Sequence, residues 1–170
     1  MTKNFKPIDL EKFNESTFKL FGTDWMLITA GEMKNFNMMT VSWGGMGILW
    51  YKPVVFLVIR PQRHTFKYIE ANNIFTLTFF EEKYRKMLNL LGSKSGRNTD
   101  KLNLSGLTPL ETQNGGIYYE EARMVLECRK LYFHDLTPDN MLLSEIQINY
   151  YPTNDFHRLY VAEIIQSFSE

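Results

Sequence analysis

The sequence predicts a mainly β protein, built as a barrel with short helices inserted between its strands. Runs rich in β-branched and aromatic residues recur along the 170 residues, whereas only two segments have the spacing of a helix. A doubly wound sheet would alternate strands and helices more regularly, so the barrel is favoured. No linker or repeat interrupts the pattern, and a single domain over residues 1–170 is expected.

Seven runs have the composition of strands. In chain order they are Trp25–Thr29, Asn37–Trp43, Val54–Arg60, Ile74–Phe80, Ile117–Glu120, Met124–Phe133 and His157–Ile165. In the sixth run, the apolar residues change parity between Cys128 and Leu131, which predicts a β-bulge or a strand buried on both faces. Glycine, proline and asparagine predict loops at Gly44–Gly45, Asn114–Gly116 and Thr137–Asn140.

Two helices interrupt the strands. Thr65 is expected to cap the N-terminus of a helix that continues to about Asn72. A second helix is expected from about Glu82 to Leu91, because its apolar residues fall on one stripe. The polar segment 92–101 follows it and predicts either a flexible surface loop or a wall for an anion.

Composition excludes several classes of partner. The chain has 19 basic and 19 acidic residues, and this neutral balance argues against nucleic acid. No apolar run approaches the ~20 residues that span a bilayer, and the first residues lack an apolar signal core, so no membrane contact is expected. The single Cys128 suits a reducing compartment, which predicts a cytoplasmic protein. Aromatic residues reach 15% and suit a core, a flat-ligand pocket or a subunit interface.

The run 37–45 could bind a flat heterocycle. Thr40 and Ser42 are two residues apart, so on a strand their hydroxyls share one face. Small hydroxyl side chains let a ring lie close to the strand, and the glycines that follow allow close approach of the backbone. An ordinary half-buried strand would show the same pattern, so this run does not decide the function by itself.

A second run could bind a phosphate. Arg60, Arg63 and Thr65 follow the end of a strand and lead into the first predicted helix. Arginine binds phosphate through its fork of donors, and a helix N-terminus adds amides and partial positive charge. A solvated turn with a threonine cap is the simpler alternative. Taken together, the two runs predict a nucleotide-like cofactor, for which flavin mononucleotide (FMN) is the best fit.

Other reactive residues predict little. His64, His134, His157 and Cys128 lack the spacing of metal ligands, so no metal site is predicted. Cys128 alternates with apolar residues and is expected in the core. No P-loop, dinucleotide-binding glycine motif or nucleophile elbow is present in the sequence.

Three motifs, in this order, resemble the flavin reductase-like, FMN-binding split-barrel family, and most closely its flavoredoxin-type branch. The motifs are Asn37-x-Met39-Thr40-x-Ser42-Trp43-Gly44, then Arg60-Pro61-x-Arg63-x-Thr65 with Phe75-Thr76-Leu77 after it, and His157-Arg158-Leu159-Tyr160-Val161-x-Glu163-Ile164. The resemblance implies a six-stranded split β-barrel of Greek-key type. It also implies a homodimer with one FMN per subunit near the dimer interface.

The resemblance also implies the roles of individual residues. The residues implied to contact the isoalloxazine and ribityl chain are Met38, Thr40, Val41, Ser42 and Trp43. Those implied near the phosphate are Arg60, Arg63, Thr65, Ser95, Gly96 and Lys101. His157 is implied as the catalytic residue that contacts the nicotinamide, with a charge change near pH 6.5.

The family resemblance implies an NAD(P)H-dependent flavin reductase that passes electrons to free flavin or to a redox partner protein. The chain departs from the family pattern at Ala162, at Thr78 and at Asp155-Phe156-His157, where Gly-Asp-His is common. These departures bear on the use of NAD(P)H more than on flavin binding. Two alternatives therefore stay open: a non-enzymatic electron carrier of the flavoredoxin type that is reduced by a partner protein, and a flavin-binding protein without turnover.

Overall fold

A computed structural model describes residues 4–170 of the chain. In these residues the strands are β1 (Lys6–Pro7), β2 (Met26–Glu32), β3 (Asn35–Val41), β4 (Gly44–Leu49), β5 (Lys52–Ile59), β6 (Ile74–Phe79), β7 (Pro109–Glu111), β8 (Ile117–Tyr119), β9 (Met124–Asp135) and β10 (Arg158–Ser169). The α-helices are α1 (Thr17–Lys19), α2 (His64–Ala71), α3 (Arg85–Ser93), α4 (Lys101–Ser105) and α5 (Ser144–Tyr150). A π-helical turn covers Leu20–Asp24, and 3-10 turns cover Leu10–Lys12, Glu82–Tyr84 and Pro138–Asn140.

One antiparallel sheet contains most of the strands, in the spatial order β3–β2–β6–β9–β10–β5–β4, with β1 also paired to β10. Over the described residues this sheet does not close on itself, and the fold matches a split barrel. The prediction of a mainly β split barrel is therefore confirmed. Six of the seven predicted strands belong to this sheet, whereas the run at Ile117 pairs with β7 in a separate ribbon.

The prediction of a loop at Gly44–Gly45 is wrong, because these glycines begin strand β4. Gly44 pairs with Leu57 of β5, and its φ of 148° lies in a region that favours glycine. A Cβ at this position would overlap the carbonyl oxygen of Phe56. The glycine therefore permits the close approach of two strands and does not mark a turn.

The predicted bulge is present in β9. Val161 of β10 pairs with Tyr132 and Ala162 pairs with Lys130, so Leu131 is the extra residue. The β9 residues from Met124 to Cys128 are buried, whereas those from Leu131 to Phe133 are exposed. The bulge thus separates the part of β9 that packs on the core from the part that leaves it.

The helix that was expected to begin at Thr65 begins one residue earlier. Arg63 is the N-cap residue of α2, and the buried Thr65 lies within the first turn. Its hydroxyl accepts a hydrogen bond of 2.7 Å from the Asn37 amide, so it does not cap the helix. The second predicted helix begins as a 3-10 turn and continues as α3. The short helices α1, α4 and α5 were not predicted.

The barrel core is formed by the inner faces of the sheet. Its largest fully buried side chains include Met26, Ile28, Leu57, Phe75, Phe79 and Tyr160. Cys128 is completely buried among them, as predicted, and burial followed by the charge of Glu127 raises the pKa of its thiol. Among residues 4–170, no helix is long and apolar enough to cross a membrane.

Candidate functional site

A cleft of about 320 Å³ is lined by residues from the ends of both β3 and β5. Its lining residues are Met39, Thr40, Val41, Ser42, Trp43, Val58, Ile59, Arg60, Arg63, Gly92 and His157. The antiparallel sheet and α3 bring these residues together, although they come from five segments of the chain. Seven of the residues predicted for a flavin site line this one cleft: Thr40, Val41, Ser42, Trp43, Arg60, Arg63 and His157.

The two predicted hydroxyls differ in their surroundings. The Thr40 hydroxyl donates a hydrogen bond of 2.5 Å to the carbonyl oxygen of Leu88, which ties β3 to α3. Ser42 lies one residue beyond the end of β3 and lines the cleft. Its hydroxyl has no hydrogen-bond partner in the described part of the chain. Ser42 is therefore the hydroxyl that is free to bind a ligand.

Trp43 forms an aromatic wall of the cleft. Its ring meets Tyr150 edge to face at 5.5 Å between centroids. On the other side it lies 5.2 Å from the His157 ring, at an interplanar angle of 44°. The half-exposed indole thus offers a flat apolar surface at the mouth of the cleft.

The charge of Arg60 is compensated by its own chain. Its guanidinium forms an ion pair with Asp155 and donates a hydrogen bond of 2.8 Å to the Tyr150 carbonyl oxygen. Gln62 donates to the same carboxylate at 2.6 Å. Burial acts to raise the pKa of Asp155, but hydrogen bonds from Thr153 and Arg60 lower it below its usual value. Asp155 is therefore ionised at neutral pH, and Arg60 is not a free cation.

Arg63 connects the cleft to a second pocket of about 200 Å³. One of its N–H groups donates a hydrogen bond of 2.6 Å to the carbonyl oxygen of Gly92. Burial and then the charge of Arg60 lower the pKa of the guanidinium, which stays protonated. The second pocket is lined by Gln62, Arg63, His64, Thr65, Ser93, Lys94, Ser95, Gly96, Arg97 and Lys101.

The second pocket is basic. Its lining, all within the described residues, includes two arginines and two lysines but no carboxylate. Burial, followed by the charges of Lys67, Arg97 and Lys101, lowers the pKa of His64. A Cβ at Gly96 would overlap the amide oxygen of Asn37, so glycine lets the loop after α3 close on the pocket. The arrangement suits an anion such as a phosphate.

Lys101 belongs to this pocket, but its ammonium is already bound. Its Nζ donates hydrogen bonds of 2.9 Å to the Met38 carbonyl oxygen and 2.7 Å to that of Leu91. The side chain is buried, and burial followed by the charge of Arg63 lowers its pKa to about 8. An ammonium has three donors, so one remains for a ligand.

Met38 is not among the residues that line the cleft, and its expected contact with a flavin stays a prediction. Its side chain is buried under α3 with Leu88 and Leu91, and its sulfur lies 3.1 Å from the Tyr119 hydroxyl. Thr40 shares this face of β3, but it lies nearer the end of the strand and borders the cleft. The contribution of Met38 to the site is thus its backbone carbonyl, which holds Lys101.

His157 differs from the expectation of a charge change near pH 6.5. Its Nδ1 lies 2.8 Å from the Tyr151 hydroxyl, and both side chains are buried. Burial and then the charge of Arg60 lower the pKa of His157 to about 4, although Asp155 acts in the opposite direction. The imidazole is therefore neutral at pH 7. Within residues 4–170, no three His, Cys, Asp or Glu side chains could hold a metal ion.

Comparison with known families shows to which family this chain belongs. Residues 18–166 match the flavin reductase like domain. The chain belongs to this family. The resemblance predicted from the sequence motifs is therefore confirmed. Among proteins with curated descriptions, none matches the chain in sequence.

Solved structures share the fold of this flavin reductase-like chain at low sequence identity. An FMN-binding domain of a flavin reductases-like enzyme from Shewanella baltica has 18% identity and a TM-score of 0.71, over 99% of this chain and 78% of that one. Flavoredoxin from Methanosarcina acetivorans has 21% identity and a TM-score of 0.69, over 94% and 74%. An NADH:FAD oxidoreductase from Streptomyces globisporus has 14% identity and a TM-score of 0.66, over 87% and 76%.

Sequence reasoning missed several residues of the site in this flavin reductase-like domain. Asp155 and Tyr150 contact Arg60, and Tyr151 contacts His157, but none of the three was predicted. The only signal was the departure from the family pattern at residues 155–157. That departure indicated that this segment is unusual, but it did not indicate that Asp155 would pair with Arg60, which is 95 residues away.

Proposed function

We propose that this member of the flavin reductase-like family binds FMN, with the isoalloxazine in the cleft and the phosphate in the basic pocket. The observation that carries this proposal is that Arg63 lines both spaces. A ligand with a flat ring at one end and a phosphate at the other would span them. The FMN-binding domain and the flavoredoxin among the structures with this fold add support.

The residues of the cleft fit the flavin ring. Thr40, Val41 and Ser42 border the space with small side chains, and the free Ser42 hydroxyl can bond to the polar edge of the ring. Trp43 supplies a flat contact surface. A polar edge on one side and apolar walls on the others is the usual composition of a site for a flat cofactor.

The residues of the basic pocket fit the phosphate. Arg63 is the arginine that reaches both spaces, because Arg97 lines the basic pocket alone and the charge of Arg60 is compensated by Asp155. Thr65 accepts a hydrogen bond from Asn37 and keeps its own proton to donate. Ser95 and Gly96 border the pocket, and Lys101 has one remaining N–H.

We further infer that NAD(P)H reduces the bound flavin, with His157 as the catalytic residue. Bound flavin would supply the reversible electron transfer that side chains lack. His157 borders the cleft and offers a flat ring with one N–H, which suits a nicotinamide and its carboxamide. The electrons would pass to free flavin or to a redox partner protein. The NADH:FAD oxidoreductase with this fold adds support.

Calorimetry with FMN and riboflavin tests the binding proposal. Arg63→Ala should lower the affinity for FMN about tenfold or more and leave the affinity for riboflavin nearly unchanged, since a charge-assisted hydrogen bond contributes about 1.5–3 kcal/mol. Arg129→Ala is the control, because Arg129 pairs with Glu163 and lines neither pocket. If the wild type binds no FMN at micromolar concentration, the proposal is wrong. An equal loss of affinity for both ligands would show that Arg63 supports the fold and does not bind the phosphate.

Steady-state oxidation of NADH and NADPH tests the enzymatic part. Wild-type protein with FMN should oxidise at least one of them, and the rate should rise when free flavin is added as acceptor. Bound FMN without oxidation of either nicotinamide would favour the alternative of an electron carrier reduced by a partner protein.

A further inference from the structure

We propose that Tyr151 is a positioning residue that places the ring proton of His157 on Nε2, where it serves the cleft as a hydrogen-bond donor. The donor would recognise a carbonyl oxygen of a flat ligand, such as a carboxamide. The identity of that ligand rests on the proposed function, but the position of the proton does not. Tyr151 thus acts on the cleft through His157 and is not among the residues that line it.

The Tyr151 phenol is held firmly in place. Its ring stacks on Phe156 at 4.7 Å between centroids and an interplanar angle of 25°. The Arg60 guanidinium lies 5.4 Å from the centre of the same ring. The backbone N–H of Tyr151 donates to the Gln147 carbonyl oxygen at 2.9 Å, and the backbone carbonyl oxygen of Tyr151 accepts from the Asn154 N–H at 3.0 Å. The hydroxyl therefore points at one fixed position, 2.8 Å from Nδ1 of His157.

Hydrogen-bond satisfaction decides which of the two groups is the donor. A neutral imidazole has one N–H and one bare nitrogen. If Nδ1 carried the proton, the Tyr151 hydroxyl would have to donate elsewhere. Within residues 4–170, His157 is its only hydrogen-bond partner. A buried hydroxyl proton would then be left without an acceptor, which is unfavourable. Donation from Tyr151 to Nδ1 satisfies both groups and leaves the imidazole proton on Nε2.

The charged groups around the pair favour the same arrangement. Burial raises the pKa of Tyr151, so the phenol keeps its proton at neutral pH. The two charges that face His157 are Arg60 and Asp155, and they are paired with each other. With a pKa of about 4, His157 carries a single ring proton near pH 7. The cleft therefore presents an uncharged donor, which suits a carbonyl oxygen better than a phosphate.

Nuclear magnetic resonance on protein with ¹⁵N-labelled histidine tests the inference without any flavin. Long-range ¹H–¹⁵N correlations distinguish a protonated ring nitrogen from a bare one, and His157→Gln identifies the signals of His157. Wild type should show a bare Nδ1 and a protonated Nε2. Tyr151→Phe keeps the stacked ring but lacks the hydroxyl, so it should show a mixture of both tautomers. His64 and His134 should be unchanged. A protonated Nδ1 in wild type, or an unchanged tautomer in Tyr151→Phe, would overturn the inference.

The functional arm uses the same variant loaded with FMN. Tyr151→Phe should slow flavin reduction by NAD(P)H per bound flavin in proportion to the fraction of His157 that loses its Nε2 proton, roughly twofold for an equal mixture of tautomers, while FMN affinity stays nearly unchanged. Tyr132→Phe, an exposed tyrosine on β9, is the matched control. A lower melting temperature with a wild-type rate would show a purely structural role. If wild type binds no FMN, the proposed function fails, and the tautomer measurement still decides the inference.

Discussion

The ammonium of Lys101 lies between two backbone carbonyl oxygens, 2.9 Å from that of Met38 and 2.7 Å from that of Leu91. It thereby joins β3 to the end of α3 and the start of α4, next to the basic pocket that Lys101 itself lines. The side chain is 5% exposed, so water cannot replace these bonds if the ammonium is removed. Lys101, which the family resemblance implies as a phosphate contact, thus also holds parts of the fold together through these two hydrogen bonds.

Lys101→Met should lower the free energy of unfolding by about 2–3 kcal/mol, because it leaves two buried carbonyl oxygens without a donor. Urea unfolding at pH 7 measures the difference. Lys94→Met is the matched control, since Lys94 lines the same pocket but is exposed. Removal of its charge should change the stability by less than about 0.5 kcal/mol. Similar losses in both variants would show that charge, and not the two hydrogen bonds, is the important property.

The lowered pKa of Lys101 predicts how the free energy of unfolding changes with pH. Its pKa is about 8 in the folded chain and about 10.4 for an unperturbed lysine. Between these values the unfolded chain binds more protons, so this group makes the free energy of unfolding rise with pH. From pH 8 to 10, wild type should gain roughly 1 kcal/mol or more relative to Lys101→Met. A constant difference would indicate that the carbonyls keep the lysine charged.

At the level of elements, the hairpin of β4 and β5 has an unusual turn. Trp50 and Tyr51 have φ values of 52° and 57°, and the flanking pair Leu49–Lys52 closes a two-residue loop. Such a turn favours Asn-Gly, because bulky residues in the left-handed region cost about 1–2 kcal/mol each. Both aromatic side chains are nevertheless exposed. The tip of this hairpin therefore carries two exposed aromatic residues, although the monomeric chain would be more stable with Asn-Gly at these positions.

The double variant Trp50→Asn/Tyr51→Gly should raise the free energy of unfolding of the monomeric chain by about 1–2 kcal/mol. Trp50→Ser/Tyr51→Ser removes the same aromatic rings but keeps a side chain at both positive-φ positions, so its gain should be clearly smaller. Urea unfolding at low protein concentration compares the three proteins. Equal stability of wild type and the Asn-Gly variant would mean that the tip makes contacts that offset the unfavourable backbone.

The elements that could be predicted are those whose pattern reflects local burial. Strands such as β5 and β6 are continuous runs of β-branched and aromatic residues, and they were found to within one or two residues. Strand β4 was missed because Gly44-Gly45 has the composition of a loop, and its pairing depends on β5. Helix α5 was missed because its apolar residues, Ile146 and Ile148, alternate as they would in a strand. The ion pair Arg60–Asp155 was beyond prediction, because it depends on where a distant segment folds.

On the scale of the whole molecule, no other part of residues 4–170 covers one apolar surface next to the cleft. Helix α5 buries none of its seven residues, and an isolated helix of this length is not stable in water. The exposed apolar residues on and beside it are Leu142, Leu143, Ile146, Ile148 and Tyr150. Tyr150 touches Trp43 of the cleft, so whatever covers this surface also borders the site. We propose that a second copy of the chain covers it, as the family resemblance implies.

The 20.1 kDa chain should therefore sediment as a homodimer at micromolar concentration in the presence of FMN, because a standard interface buries about 1,600 Å² in total. Leu142→Lys/Ile148→Lys should shift it to the monomer, since two charges would have to be buried without partners. Phe18→Lys is the matched control: Phe18 is about as exposed as Leu142, but it belongs to α1 and not to α5. Because α5 touches the cleft, loss of the dimer should also lower the affinity for FMN.

A wild-type monomer would contradict the prediction. A dimer that persists in the double lysine variant would place the interface on another surface, for which the aromatic hairpin tip is the next candidate.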